Sequence, residues 1–209
     1  MDYRVQNGKL YGVGNLGGIY TLSTRSGDGT KVGQLTVALQ GTRFGVDFNP
    51  AANRLRVISD TGQNLRHNID DPAAPTTTTV DGTLTYPPAT TPATRVTGAA
   101  YTNNDLDPNT ATTLFDLDTM LDQIAIQSPA NSGSLAATGK LGVNASANAG
   151  FDIYSTVRGG TTVDLEGYAV MWADGRMGLF EINLLSGKAT SAGEFPKKVT
   201  DIAIPLNQR

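Results

Sequence analysis

Along this chain a short strand-like run opening on an acidic or small residue is repeatedly followed by three more strand-like runs. The starts are Asp2-Tyr3, Asp47-Phe48, Ala100-Tyr101 and Asp152-Ile153, and a fifth, Asp201-Ile202, comes just before the end. They recur at intervals of roughly 50 residues, the period of blade and array repeats. This repetition constrains the fold more than any single motif does. A four-stranded meander cannot bury both of its faces alone, so repeated meanders stack on one another.

The units run from about 1–40, 44–86, 97–141 and 150–195, and 199–205 begins another. Turn formers divide the runs inside each unit: Asn7-Gly8, Asn49-Pro50, Asp60-Thr61-Gly62, Asp81-Gly82, Asp174-Gly175 and Ser186-Gly187. Glycine supplies positive φ, proline fixes φ, and Asn and Asp bond their own backbone. No 3.6-residue apolar period competes with these strands. The fold expected is one all-β domain, a β-propeller of four-stranded antiparallel blades: four complete blades plus one strand of a fifth, five-bladed if other strands complete it. A β-sandwich is the alternative. In the fourth unit the strands are expected at residues 151–155, 167–172, 178–184 and 189–195, with Tyr168, Val170 and Trp172 sharing one buried strand face.

A propeller ring closes by completing its last blade, so that no edge is left bare. Here nothing precedes the first strand. Either the ring has four blades and a lone strand, or about three N-terminal strands are absent, or another chain supplies them by strand addition. The edge available for such assembly comprises Asp2, Tyr3, Arg4 and Val5 with Asp201, Ile202, Ala203 and Ile204. Head-to-tail pairing of copies there would give an oligomer or filament.

Composition narrows the function classes. No cysteine occurs, which excludes disulfides, thiolate metal sites and cysteine nucleophiles. The formal net charge is −3, so no global basic footprint for nucleic acid exists. No apolar run approaches the roughly 20 residues that span a bilayer. The chain opens directly on the strand-like MDYRV, and no signal peptide is visible. Cysteine-free, low-charge β composition suits a bacterial extracellular protein.

The most polar stretch is FGVDFNPAANRLRVISDTGQNLRHN, residues 44–68. Arg54, Arg56 and Arg66, with Asn49, Asn64 and Asn68, form its strongest constellation. Guanidinium forks suit carboxylate or phosphate, which makes an anionic polysaccharide or a phosphate-bearing molecule a candidate ligand. The competing reading is an inter-blade ion network in which Asp47 and Asp81 neutralise the arginines. A second candidate is a calcium loop at Asp105, Asp107 and Asn109, although the EF-hand spacing is absent and Asp-Pro-Asn is also an ordinary turn. His67, the single histidine, lacks a nucleophile elbow to serve and reads as a packed residue. No catalytic residue is assigned. Paired carboxylates for glycoside chemistry stay open, with Glu166 and Glu194 as the glutamates considered.

The run at residues 44–68, with DGTL at 81–84, AAYTNN at 99–104, TTLFDLDT at 112–119, GSLAATGKLGV at 133–143 and GFDI at 150–153, resembles bacterial proteins of domain-of-unknown-function family 4394. The resemblance covers nearly the whole chain. It implies secreted or surface-associated proteins made with a signal peptide, and it implies no activity. It also implies additional strands ahead of the segment matched by MDYRV, so that this chain is N-terminally shortened relative to its relatives and the intact fold has five blades. The function expected is a non-catalytic extracellular binding or structural module, self-assembling through its incomplete blade. The alternative is a lectin or enzyme acting on an anionic glycan.

Overall fold

Strand-forming runs cut by the turns above give, among the described residues, sixteen strands in four antiparallel sheets, each a simple up-and-down meander whose inner strands are buried and whose outermost strand is largely exposed. The computed structural model describes residues 1–207. Blade one holds β1 (Asp2–Arg4), β2 (Lys9–Val13), β3 (Gly18–Leu22) and β4 (Gly29–Gln34). Blade two holds β5 (Phe44–Asn49), β6 (Arg54–Ser59), β7 (Asn64–His67) and β8 (Thr78–Val80). Blade three holds β9 (Val96–Tyr101), β10 (Leu114–Asp118), β11 (Gln123–Gln127) and β12 (Leu135–Lys140). Blade four holds β13 (Ala145–Arg158), β14 (Thr161–Ala173), β15 (Arg176–Ile182) and β16 (Ala189–Glu194). Apart from one 3-10 turn, Ala130–Ser132, the described residues form no helix. Among the described residues no helix is long and apolar enough to cross a membrane. This is the expected propeller with four complete blades.

The first strands of successive blades lie side by side around the axis, and glycine sets how closely. A Cβ added to Gly45 would meet the Ala99 nitrogen at 2.7 Å, and one on Gly98 would meet the Phe151 Cβ at 2.7 Å. One on Gly150 would meet the Asp201 Cα at 2.5 Å. Each glycine therefore sits where the next inner chain passes, at a separation that no other residue permits. Residues 200–205, expected as the first strand of a fifth unit, occupy that next inner place beside β13. Asp201 to Ile204 are half-buried, and the segment joins no ladder among the described residues, so the fifth place holds one extended segment.

Between blades the core divides into three apolar clusters. Tyr11, Ile19 and Leu35 of the first unit meet Phe48, Leu55, Val57 and Leu65 of blade two. Ile58 and Leu84 meet Ala99, Tyr101, Leu114 and Ala125. Phe115, Leu117 and Ile124 meet Phe151, Ile153, Met171 and Phe180.

Three local expectations are corrected. β13 and β14 are 14 and 13 residues long, far beyond residues 151–155 and 167–172. Gly159 and Gly160, at φ 61° and 89°, make a two-residue turn of the hand that continues a twisted hairpin rather than ending it. The second unit, expected to run as blade to residue 86, has its fourth strand only over Thr78–Val80; beyond Asp81-Gly82 the chain crosses to blade three, where Thr85 bridges Ser134 in parallel. On β14, Val170 is buried but Trp172 is 48% exposed, because that face looks toward residues 200–205 and no full sheet covers it.

Gly45→Ala places a methyl against backbone that cannot rotate away. The expected cost is about 1–3 kcal/mol, read as a lower urea midpoint with unchanged slope. An unchanged midpoint would mean that the inner strands are not held at this separation.

Candidate functional site

The arginine constellation follows from strand register. β6 pairs with β7 so that Arg56 stands opposite Arg66. Arg56 is 2% exposed, and each of its nitrogens is occupied. Nη1 donates to Asn64 Oδ1 and Asp81 Oδ2, both at 2.7 Å, Nη2 to Asn131 Oδ1 at 2.8 Å, and Nε to the Tyr101 hydroxyl at 3.2 Å. Asn131 and Tyr101 belong to the third unit, so one guanidinium fastens blade two to blade three. Arg66 grips the same Asp81 with Nε and Nη2 at 3.1 Å, which raises the Arg66 pKa.

Arg54 lies apart from that pair, donating to Asp71 at 2.9 Å and to the Ala52 and Asn53 carbonyls. Asn49 accepts from the Ala52 N–H at 2.7 Å. Asn68 clamps residues 71–75 by accepting from the Asp71 N–H and donating to the Ala74 carbonyl. Both asparagines therefore shape turns. Register thus brings Arg56, Arg66 and Asn64 together and leaves Arg54, Asn49 and Asn68 at the blade's loops. Arg4, buried on β1, pairs with Asp70 and with Asn53, and this pairing pulls the Asp70 carboxyl below its ordinary range.

The acidic loop is a latch on the long hairpin. Asp105 Oδ2 accepts from the Thr162 N–H at 2.8 Å and from its hydroxyl at 2.6 Å, and Asp107 Oδ2 from the Thr161 hydroxyl at 2.8 Å. Their other oxygens accept from the N–H groups of Asp107 and Asn109, at 3.0 and 2.9 Å. His67 is buried, with Nδ1 3.0 Å from the Thr78 hydroxyl, and burial lowers its pKa.

The recurring aspartates converge in a way that their spacing alone does not reveal. Carboxylate oxygens of Asp2, Asp47 and Asp152 lie within 4.8 Å of one another at the axis. Among the described residues this is the group with metal-ligating geometry. Asp2 accepts from the Phe48 N–H at 2.9 Å, Asp47 from the Tyr101 N–H at 3.1 Å, and Asp152 from the Ile204 N–H at 2.6 Å. Each bond joins an inner strand to the next inner place. Asp47 therefore binds neighbouring backbone rather than an arginine. Asp201 continues the set by pairing with the Met1 ammonium at 2.6 Å.

A cleft of about 880 Å³ lies elsewhere, between blade four and the Thr102–Phe115 side of blade three. Glu166, Tyr168, Glu181 and Lys188 line it, with Phe115, Leu165 and Leu184. Glu181 stands opposite Tyr168 in the β14–β15 ladder. Burial first, then the Glu166 and Glu181 charges, raise the Tyr168 pKa. Of the glutamates weighed from sequence, Glu166 lines this cleft, whereas Glu194 is exposed and pairs with Arg176. Glu181 was missed; alternation along LFEINL, set beside that of LEGYAV, is the signal that places it.

A family model described as Domain of unknown function (DUF4394) matches residues 1–203. No curated protein matches the chain. Among solved structures, an auxiliary nutrient binding protein from Bacteroides thetaiotaomicron is similar at a TM-score of 0.41 and 12% identity, over 93% of this chain and 40% of that one. The chain thus spans less than half the length of that protein.

The axial carboxylates make stability depend on pH. Burial pushes Asp2, Asp47 and Asp116 well above the ordinary carboxylate value and Asp152 to about 6. A raised folded pKa means stability that is complete below the ordinary value and lost as pH rises through the folded one. The melting temperature is therefore expected to climb as pH falls from neutral toward about 5, and Asp152→Asn should flatten part of that climb. Asp70, Asp71 and Asp107, whose pKa values are lowered, act oppositely and only below the ordinary range. A melting temperature level across this window would contradict the burial of these charges.

Proposed function

The chain belongs to the DUF4394 family, whose description carries no activity, and from its surfaces we propose a non-catalytic extracellular binding or structural module that accepts a further β segment in the sector between blade four and blade one. One observation carries this reading: the inner segment 201–204 lies between two sheet faces with no sheet of its own. On the blade-one side, Tyr3, Leu10 and Leu22 share a face by register, opposite the face that Tyr11 turns to blade two. On the blade-four side stand Leu179 and the exposed Trp172. The Ile202 N–H is held by Asp201 and the Ile204 N–H by Asp152. Ala203 makes no backbone hydrogen bond among the described residues, so an outward donor and acceptor are available to an added strand.

A copy of the chain is the simplest source of such a strand, and head-to-tail addition builds oligomers or filaments. Light scattering across a concentration series is expected to show mass rising above that of the monomer. Ala203→Pro, which removes the outward donor, should hold the protein monomeric with its melting temperature nearly unchanged. A monomer at every concentration would remove self-assembly from the proposal.

A second reading, an anionic glycan or phosphate-bearing ligand on the arginine face, draws on one observation. Arg56 and Arg66 share the single carboxylate of Asp81, and the Arg66 side chain is 33% exposed. The pair thus keeps net positive charge with a donor near solvent. Arg66→Ala is expected to weaken binding of a uronate or sulfated polysaccharide while leaving stability almost intact. Arg56→Ala is expected to cost about 3–5 kcal/mol, because it leaves a buried cavity and takes a partner from Asn64, Asn131, Tyr101 and Asp81 at once. If Arg66→Ala leaves polysaccharide binding unchanged, the face is structural only.

A further inference from the structure

The seam between blades two and three holds polar atoms that neither blade satisfies. Leu114 of β10 and Ala125 of β11 pack against Ile58 and Leu84 of the second unit, so alternation turns Asp116, Asp118, Gln123 and Gln127 to the same side. Asp116 sits at the middle of that face, paired with Ala99 across one ladder and with Ala125 across the other. It is 0% exposed, and neither of its carboxylate oxygens has a hydrogen-bond partner among the described residues. Gln127 lies diagonally across the β10–β11 ladder from Asp116, within reach of a long side chain. Its Nε2 donates to the Ala130 carbonyl, and its buried Oε1 is left without a donor. Thr97, the extra residue of the bulge where β9 meets Leu117 and Asp118, is also buried with its hydroxyl unpartnered. Seven buried side-chain nitrogen and oxygen atoms are unpartnered among the described residues, and four of them belong to these three residues. The shortfall is therefore concentrated in this seam.

The surrounding side chains have no donor left to give. Burial raises the Asp116 pKa, the Arg56 charge opposes that rise, and the Asp118 charge adds to it. Arg56 thus acts on Asp116 through space, yet each of its nitrogens is already committed, to Tyr101, Asn64, Asp81 and Asn131. Tyr86 spends its hydroxyl on Asp118. A carboxyl is costly to leave unpaired in apolar surroundings, and folded interiors pair nearly all such groups. Ala99 and Ala125, on either side of Asp116, present only a methyl each, so no bulky neighbour closes over the carboxyl along the ladders. Ionised, Asp116 needs donors for both oxygens; protonated, it needs an acceptor and a donor. Water meets either state, and it can also donate to Gln127 Oε1 and accept from the Thr97 hydroxyl. A metal ion meets only the ionised state, and the Arg56 charge works against a second cation in the same seam.

We propose that this seam is a buried water site, in which ordered water hydrogen-bonds Asp116 and links it to Gln127 on one side and Thr97 on the other. The site lets a carboxyl stand inside an otherwise apolar cluster and makes solvent part of the junction between blades two and three.

A high-resolution crystal structure and water-selective NMR on the whole chain test this together. Water oxygens are expected at about 2.5–3.2 Å from the Asp116 oxygens. Nuclear Overhauser transfer from water to the Ala99 and Ala125 methyl groups is expected to carry the sign of a long-lived bound molecule. Asp116→Leu removes both acceptors and should abolish that transfer. Asp116→Asn, which keeps an acceptor and gains donors, should retain it; should the leucine variant not fold, this variant and the parent crystal decide. The inference is overturned if the Asp116 oxygens touch only protein atoms in the crystal, or if the density beside them is a cation with oxygen ligands at metal distances. It is equally overturned if the parent shows no transfer to either methyl, if transfer survives Asp116→Leu, or if Asp116→Asn loses it while folded.

Discussion

The close packing of inner strands around the axis governs the rest of the molecule. Gly45, Gly98 and Gly150 bring each inner chain against the next, and Asp2, Asp47 and Asp152 then reach the backbone N–H groups of their neighbours. Burying three facing carboxylates is unfavourable in itself, because desolvation and mutual repulsion both oppose ionisation. Backbone N–H bonds offset part of that cost. Blade three breaks the series with Ala100 at the aspartate's place, so no side chain there reaches blade four. The apolar cluster built on Phe115, Phe151 and Phe180 joins that pair of blades. Apolar clusters join each adjacent pair, and the axial carboxylate bonds add to them between blades one and two and between blades two and three.

Away from the axis, charge is handled pairwise. Arg56 is so enclosed that only complete hydrogen bonding makes its burial tolerable, and its partners come from β7, the turn after β8 and the third unit. Arg4 and Asp70 perform the analogous task between blades one and two. These links supply direction that apolar contact lacks: a blade rotated by one strand register would strand a guanidinium.

The propeller was legible because its signals are local and repeated: turn chemistry at Asn7-Gly8, Asp60-Thr61-Gly62 and Asp174-Gly175, and strand alternation between them. The hairpin's length was missed because Gly159-Gly160 reads equally as a loop; only the sign of φ at both residues makes it a continuing turn. Trp172 was placed in the core because alternation reports a shared face, not whether a neighbour covers it. The arginines could be assigned to one stretch, yet which of them meet depends on the register that sets Arg56 against Arg66. The axial aspartates were visible as repeat markers. Their convergence was not, since Asp2 and Asp152 meet only once the ring geometry is known.

The two free strand edges differ in chemistry. Along residues 161–166 the outward N–H groups are capped by Asp105 and Asp164, the protection natural sheets use against unwanted pairing. Such an edge repels a further strand. At residues 201–204 no side chain caps Ala203 among the described residues, and the flanking faces carry Leu10 and Leu22 on one side and Leu179 and Trp172 on the other. An uncapped edge between apolar faces favours backbone pairing. The hairpin edge is thus closed to backbone pairing, whereas the inner segment keeps a backbone donor and acceptor free. Both surfaces exist because the repeat stops being regular in blade four and beyond it: one where a strand outruns its partner, the other where an inner segment carries no sheet.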